Sequence, residues 1–252
     1  MSNRKSFLGQ CWAVVLAGGL GTRLRSAYQR GPKVLAPVQG RPFLDYLLAQ
    51  LRRARFRNVI LCIGYQGSKI RREYGNGENL GLNIFYSSER KLLGTAGALK
   101  QAGKMIRSRS FFILNGDSYL DLDFESMFNF HRRRRSLVTI AVVQVRDAGR
   151  YGSLRLNRQG RIKSFAEKTS GQVNSHRQRW PINAGIYLGE KEFLKQIPSG
   201  KESSLEREIF PFLVNQGLYG YLAKGFFMDI GTPEALREAQ VQWPGSLRDY
   251  QS

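Results

Sequence analysis

The chain has 252 residues, enough for one large domain or two small ones, and its 42% apolar share is that of a globular protein with a full core. That composition excludes a disordered or low-complexity chain, and no repeat at solenoid spacing is present. Forty Lys and Arg against nineteen Asp and Glu leave a formal charge of +21, which attracts nucleotides, nucleic acid and acidic membrane surfaces alike.

One domain is expected, because nothing in the composition forces a split. Cys11 and Cys62 lie in separate apolar runs with no CxxC and no histidine cluster, so they indicate neither a disulfide framework nor a zinc site. Packed thiols in a reducing, cytoplasmic compartment are expected. Arg4 and Lys5 ahead of the run from Cys11 to Leu20 imitate a signal peptide. The glycine-rich end of that run, followed by Arg23 and Arg25, fits a folded strand and loop better, and no stretch is long enough to cross a bilayer.

In chain order, Ala13 to Ala17 reads as a buried strand that breaks into Gly18, Gly19 and Gly21, with Thr22, Arg23, Arg25 and Lys33 following. Glycines let backbone N–H groups approach an anion and the cations neutralise it, which is the chemistry of a polyphosphate cradle. An ordinary strand and flexible turn is the alternative. Pro42 opens a helix whose apolar stripe is Phe43, Leu44, Leu47, Leu48 and Leu51. Val59 to Ile63 is a strand, Ser68 to Tyr74 a short polar helix, Asn83 to Ser87 a strand, Thr95 to Met105 a helix and Phe111 to Leu114 a strand. This alternation predicts an α/β fold, a Rossmann-like, mostly parallel sheet sandwiched by helices, with ligands outside the carboxyl ends of its strands.

A helix from about Phe124 ends in Arg132 to Arg135, where cations meet the negative end of its dipole. Leu137 to Val145 is then a long strand, and Gly152 to Leu156 with Ile162 to Phe165 forms a hairpin turning near Gln159-Gly160. Ile182 to Leu188 is another buried strand. Helices at Lys191 to Gln196 and Leu205 to Asn215 follow, then strands at Leu218 to Ala223 and Phe226 to Asp229, and a last helix after Thr232-Pro233. This half extends the sheet in mixed orientation, and a cleft between the halves is the expected binding site.

Gly18 to Leu24 lacks the GxxxxGK[ST] pattern, and a GxGxxG reading from Gly19 meets Leu24 where its last glycine belongs. His131 and His176 stand in arginine-rich surroundings without a GxSxG or Cys/His context, so a hydrolytic triad is not supported. There remain carboxylates at strand ends: Asp117 after Phe111 to Leu114, and Asp229 ending the final strand. A hard divalent cation shared with phosphates needs only one or two carboxylates, and this pair could supply them. Each could equally cap a turn or helix.

The ordered set Leu16 to Leu24, Pro32-Lys33, Leu93 to Gly97, Asn115-Gly116-Asp117, Glu167-Lys168, Asn183-Ala184-Gly185 and Asp229 to Glu234 resembles the sugar 1-phosphate nucleotidyltransferases, over nearly the whole chain. Arg150 to Ser153 and Pro181 to Tyr187 sharpen the likeness toward the short D-glycero-D-manno-heptose 1-phosphate guanylyltransferases. The resemblance implies the nucleotide-diphospho-sugar transferase fold, with a nucleotide-binding half at 1–136, a sugar-phosphate half at 137–240 and a tail at 241–252. The implied reaction is attack by a sugar 1-phosphate on the α-phosphorus of a nucleoside triphosphate, assisted by Mg2+, with release of pyrophosphate. It implies nucleotide contacts at Leu16, Gly18, Gly19, Gly21, Thr22, Glu89, Gly94 and Thr95. Arg23 would stabilise the leaving pyrophosphate, Lys33 reach the reacting phosphates, and Lys168 hold the sugar phosphate. Gly116, Glu167, Asn183 and Gly185 would contact the sugar, and Asp117 and Asp229 would bind the metal.

Val34 stands where many relatives have a second proline after the lysine, and the pattern stops soon after Gln240 without a β-helical extension, so no second catalytic activity is expected. Glu89 favours guanine, because a carboxylate only accepts and guanine offers two adjacent donors, N1–H and N2–H. UTP or dTTP with another sugar 1-phosphate is the alternative, as is surface pairing of Glu89 with Arg90 or Lys91. From other classes come a catalytically silent regulatory homologue and a nucleic-acid-binding protein. The basic clusters lack the aromatic interleaving of stacking platforms, so no specific nucleic acid is expected as a partner. A homo-oligomer is compatible with the sequence.

Overall fold

The structure, a computed structural model, describes residues 7–146, 153–166 and 179–244. The first half runs β1 (Trp12–Leu16), β2 (Pro37–Val38), β3 (Arg41–Pro42), α1 (Phe43–Arg53), β4 (Asn58–Ile63), α2 (Gly67–Tyr74), β5 (Asn83–Ser88), α3 (Gly94–Ala102), β6 (Ser110–Asn115), β7 (Ser118–Leu120) and α4 (Phe124–Arg134). The second runs β8 (Val138–Val145), β9 (Ser153–Leu156), β10 (Ile162–Ala166), β11 (Trp180–Glu190), α5 (Phe210–Phe212), β12 (Leu218–Leu222), β13 (Phe227–Asp229) and α6 (Pro233–Gln242).

β1 lies in the middle of the parallel part of the sheet, with β4 and then β5 on one side and β6 on the other. The chain therefore moves outward from β1 to β5 and crosses back past β1 to reach β6. The strand order reverses between β1 and β6, and the crevice at their carboxyl ends is where such sheets bind ligands. Register puts Leu16 beside Asn115, so the glycine loop and the Asn115-Gly116-Asp117 turn leave the sheet side by side. Beyond β6 the sheet turns mixed: β11 pairs antiparallel with β6, β8 and β9, and β12 pairs parallel with β8.

Both faces of the sheet are covered, as its near-continuous apolar strands require. Along β1, Ala13 and Val15 join the core layer beneath α1, and Trp12 and Val14 join the layer beneath α3. Phe43, Leu44, Leu47, Leu48 and Leu51 of α1 are all fully or almost fully buried. Thr232 caps α6, its hydroxyl accepting the Ala235 N–H at 3.2 Å. Burial pushes the Cys11 thiol up to about 12, with Glu190 adding to the effect, and Cys62 is likewise raised. Both are free, inert core thiols.

Three expected helices take other forms. The helix expected to Met105 stops at Ala102, before Gly103, and Lys191–Gln196 is a 3₁₀ helix. The segment expected as a helix to Asn215 opens as a π-helical turn, Leu205–Ile209, and reaches only Phe212. Pro211 explains this, because its ring excludes the i−4 carbonyl and supplies no N–H to the ladder. No helix among the described residues is long and apolar enough to cross a membrane.

Candidate active site

The glycine loop leaves β1 at the strand-order reversal. The Leu16 carbonyl accepts the Gly116 N–H at 2.9 Å, joining this loop to the turn after β6. A Cβ on Gly116 would lie 2.7 Å from that carbonyl oxygen and 2.8 Å from Val34 Cγ1, so only glycine permits the approach. Val34, standing where the family expectation is a second proline, is buried and packs against Gly116. Gly21 is left-handed at φ 60° and rests on the Lys33 Cβ. Gly19 faces open space, and Thr22 and Arg23 stand exposed on a 3₁₀ turn anchored by buried Leu24.

Lys33 and Asp117, eighty-four residues apart, meet at 2.6 Å between Nζ and Oδ2. The lysine side chain is only 12% exposed and the aspartate 35%, so the pair is shielded yet open on the carboxylate side. Burial opposes charge on Asp117, but the Lys33 ammonium, the Ser118 hydroxyl and its own backbone N–H together hold the carboxyl below its ordinary range. The short ladder between β7 and β13 pairs Ser118 with Asp229, and the Ile230 N–H donates to the Asp117 carbonyl at 2.9 Å. Asp229 is thus delivered beside Asp117, with its Oδ1 accepting the Gly231 N–H at 2.8 Å. Among the described residues no group of three or more metal-binding side chains occurs. Two carboxylates next to a cation suit a hard ion that keeps phosphate oxygens and water as its other ligands.

Glu89 turns inward instead of pairing with Arg90 or Lys91. A Cβ on Gly18 or on Gly64 would lie 2.6 Å from its Oε1, so both glycines make room for this carboxylate. Its Oε2 accepts the Leu93 N–H at 3.1 Å. Burial raises its pKa against that hydrogen bond, with Glu202 adding to the rise. Gly94, left-handed at φ 68°, presses against the Ser203 carbonyl, leaving no room for a Cβ. The Thr95 hydroxyl donates to Glu206 Oε2 at 2.8 Å and accepts the Leu205 N–H at 2.8 Å. Its side chain thus fastens the start of α3 to the π-helical turn.

On the other wall, Gly185 at φ 75° lies against Ser118 and Asn115, within a bulge of β11. Asn183 Oδ1 accepts the Gly185 N–H at 2.9 Å, and its Nδ2 donates to the Tyr187 hydroxyl at 3.0 Å. Tyr187 is fully buried and donates to Glu206 Oε1 at 3.0 Å. Desolvation, and then the Glu206 charge, keep that phenol protonated far above its usual range. Asn115 donates to the same carboxylate at 3.4 Å, while its Oδ1 is buried without a partner. Glu206, which sequence reasoning missed, therefore ties Thr95, Asn115, Tyr187 and Ser204 together. Its sequence context, a glutamate followed by Arg207 and Glu208, carries no signal of an inward role. Glu167 and Lys168 lie outside the described residues, as do Arg150, Tyr151 and Gly152.

The structure brings together the glycine loop, Lys33, Asp117, Asp229, Gly116 and Gly185. A hollow of about 230 Å³ beside them is lined by Gly21, Arg25, Tyr28 and Lys33. A cavity of about 1080 Å³ lies elsewhere, at the opposite end of the sheet.

The family model described as "Nucleotidyl transferase" matches residues 12–244. The mannose-1-phosphate guanylyltransferase of Mycobacterium tuberculosis is 37% identical over 225 residues, 88% of this chain and 61% of that protein. The chain thus spans less than two thirds of that relative. The D-glycero-alpha-D-manno-heptose 1-phosphate guanylyltransferase of Aneurinibacillus thermoaerophilus is 34% identical over 235 residues, 91% of this chain and 97% of that protein. The crystal structure of HddC from Yersinia pseudotuberculosis complexed with GMP-PN superposes with a TM-score of 0.79 at 31% identity, covering 92% of this chain and 99% of that one. With the family match running from the first residue of β1 to beyond α6, the chain belongs to the nucleotidyl transferase family.

Proposed function

We propose that the chain transfers a guanylyl group from GTP to a heptose- or mannose-type sugar 1-phosphate, giving a GDP-sugar and pyrophosphate. The observation that carries this reading is the convergence of Lys33, Asp117 and Asp229 beside the glycine loop at the strand-order reversal. Similarity to guanylyltransferases over nine tenths of the chain supports the nucleotide and the sugar class.

A sugar phosphate oxygen attacks the α-phosphorus, the new P–O bond forms as the bond to the bridging oxygen breaks, and pyrophosphate leaves with that electron pair. Little covalent work falls to the protein, so positioning and charge neutralisation carry the rate. Asp117 and Asp229 would hold a magnesium ion, which when bound neutralises charge on the reacting phosphates. Lys33 adds a fixed ammonium at the same place, and exposed Arg23 on the loop is free to follow the departing pyrophosphate. Glu89, a partly desolvated acceptor beside Gly18, suits the N1–H and N2–H edge of guanine. The unpartnered Asn115 Oδ1 near Gly185 suits a sugar hydroxyl, with Asn183 alongside. Glu167 and Lys168 are assigned to the sugar and its phosphate by family resemblance alone. Two buried free thiols support a reducing, cytoplasmic setting.

The test is pyrophosphate release by the purified chain with GTP, magnesium and a panel of sugar 1-phosphates. Turnover with a manno-configured sugar and GTP is expected. Silence across the panel overturns the proposal, and a preference for UTP or dTTP overturns its nucleobase.

A further inference from the structure

The 1080 Å³ cavity opens at the amino ends of the parallel strands. Its wall includes Trp12 at the start of β1, Ser110 at the start of β6 and Glu190 at the end of β11, where register pairs Glu190 with Ser110. The length of β1, at ~3.3 Å per residue, separates it from the glycine loop by roughly 15 Å. It is therefore a separate place from the candidate active site, and a ligand there is independent of the proposed reaction.

Four arginines line the cavity, Arg107, Arg109, Arg132 and Arg135, against the two carboxylates of Glu190 and Glu192. Glu190 is already engaged: it accepts from the Ser110 hydroxyl at 2.6 Å and Arg109 Nε at 3.1 Å, and its Oε1 lies 3.2 Å from His131 Nε2. Among the described residues, Arg107, Arg132 and Arg135 form no ion pair. Arg135 also holds a left-handed conformation, φ 48°, at the cap of α4, a position where glycine or asparagine is the easier residue. Beside it in the same wall, Ser136 is 3% exposed and its hydroxyl has no partner. A buried hydroxyl left without a partner costs stability, and an anion's oxygen is a suitable acceptor for it. Aromatic rings also line it: Phe7 and Phe128 lie with ring centroids 4.6 Å apart, and Arg132 stands 5.7 Å over the Phe7 ring.

We propose that this cavity is a second binding site, one that takes a phosphorylated small molecule bearing a flat ring, of the nucleotide class. Arginines supply planar, forked donors to phosphate oxygens, and aromatic faces supply the platform for a ring. The volume is slightly above the roughly 300–1,000 Å³ usual for sites that take small ligands. The cations converge on one hollow and do not form a track beside successive exposed rings, which favours a compact anion over a nucleic-acid strand.

The probe is GDP, titrated calorimetrically into the full chain at physiological ionic strength. Two GDP per chain are expected. Arg107→Ser/Arg135→Ser should weaken one of the two sites at least tenfold and leave guanylyl transfer and the melting temperature unchanged. In Lys33→Ala, which disables the front site, GDP should still slow amide exchange across 107–112 and 131–137. That readout needs no turnover, so it stands or falls apart from the proposed reaction. No GDP binding left in Lys33→Ala, or a remaining site indifferent to the arginine changes, overturns the proposal. So does a single-stranded oligonucleotide that binds these arginines while GDP does not compete. Should the double variant fail to fold, Arg107→Gln alone, at an exposed side chain, must still weaken the second site.

Discussion

Asp117→Asn separates the chemical role of this carboxylate from its structural one. The change keeps the shape of the side chain and removes the charge that faces the Lys33 ammonium at 2.6 Å. Removing one partner of a fully buried ion pair costs about 3–5 kcal/mol. Here the aspartate is 35% exposed, and an amide oxygen can still accept from Lys33, so a loss of about 1–2 kcal/mol is expected. In a chain of this size that is a fall of a few degrees in Tm, measured by calorimetry. Chemistry should suffer far more, because a fixed charge at the reacting phosphates is worth roughly 10²- to 10³-fold in kcat. Pyrophosphate release with GTP and the accepted sugar 1-phosphate reads that loss. Activity within threefold of wild type, in a protein that melts normally, would refute the assignment. An activity loss that merely tracks the unfolded fraction would reduce Asp117 to a structural role. A cycle with Lys33→Met checks the pairing itself: the two stability losses should be non-additive by more than about 0.5 kcal/mol.

Glu89→Gln should raise the KM for GTP about tenfold and erode discrimination against UTP, since an amide no longer offers two acceptor oxygens; unchanged nucleotide preference removes Glu89 from base recognition. Gly94→Ala must place a Cβ into the Ser203 carbonyl in a left-handed conformation, so urea unfolding should show a loss above about 2 kcal/mol. Glu206→Ala leaves the fully buried Tyr187 hydroxyl and the Thr95 hydroxyl without their acceptor, at about 2–4 kcal/mol, whereas Glu206→Gln should recover part of the loss; equal losses in the two variants would contradict this. Glu190 is held at about 2 by the His131 hydrogen bond, against the desolvation cost of burial, with Ser110 and Arg109 assisting. A depressed carboxyl stabilises the fold above its unfolded pKa, so about 2 kcal/mol, after solvent screening, should be present above roughly pH 4.5 and disappear as the pH falls toward 2. Acid unfolding of Glu190→Gln should lack that slope.

Sequence periodicity located every strand that buries both faces, because a run such as Val14 to Leu16 or Phe111 to Leu114 has no stable alternative to the middle of a sheet. It did not reveal β7 and β13 as partners. Each is three residues long, and their pairing depends on which sheet edge the chain reaches after β6 and after β12. That ladder nevertheless joins Asp117 to Asp229, so the carboxylate pair was legible from strand ends and family likeness, and its physical basis was not.

Glu206 shows the same limit from the other direction. A glutamate between Leu205 and Arg207 reads as an exposed helical residue, since charged side chains rarely lie inward unless paired. What pairs it is spread along the chain: Thr95 from the start of α3, Asn115 from the end of β6 and Tyr187 from β11. Each donor is an ordinary residue in its own segment. Only the bulge in β11 and the π-helical turn aim them at one carboxylate. Irregular backbone is therefore where this chain's polar network is assembled. A substitution that regularises either element, such as Pro211→Ala favouring an α-helical 205–212, should raise the KM for nucleotide and for sugar 1-phosphate together, although residue 211 lies more than a full turn beyond Glu206. Steady-state kinetics with each substrate varied in turn reads this, and a change confined to one of the two KM values would show that the network does not couple the two walls of the site.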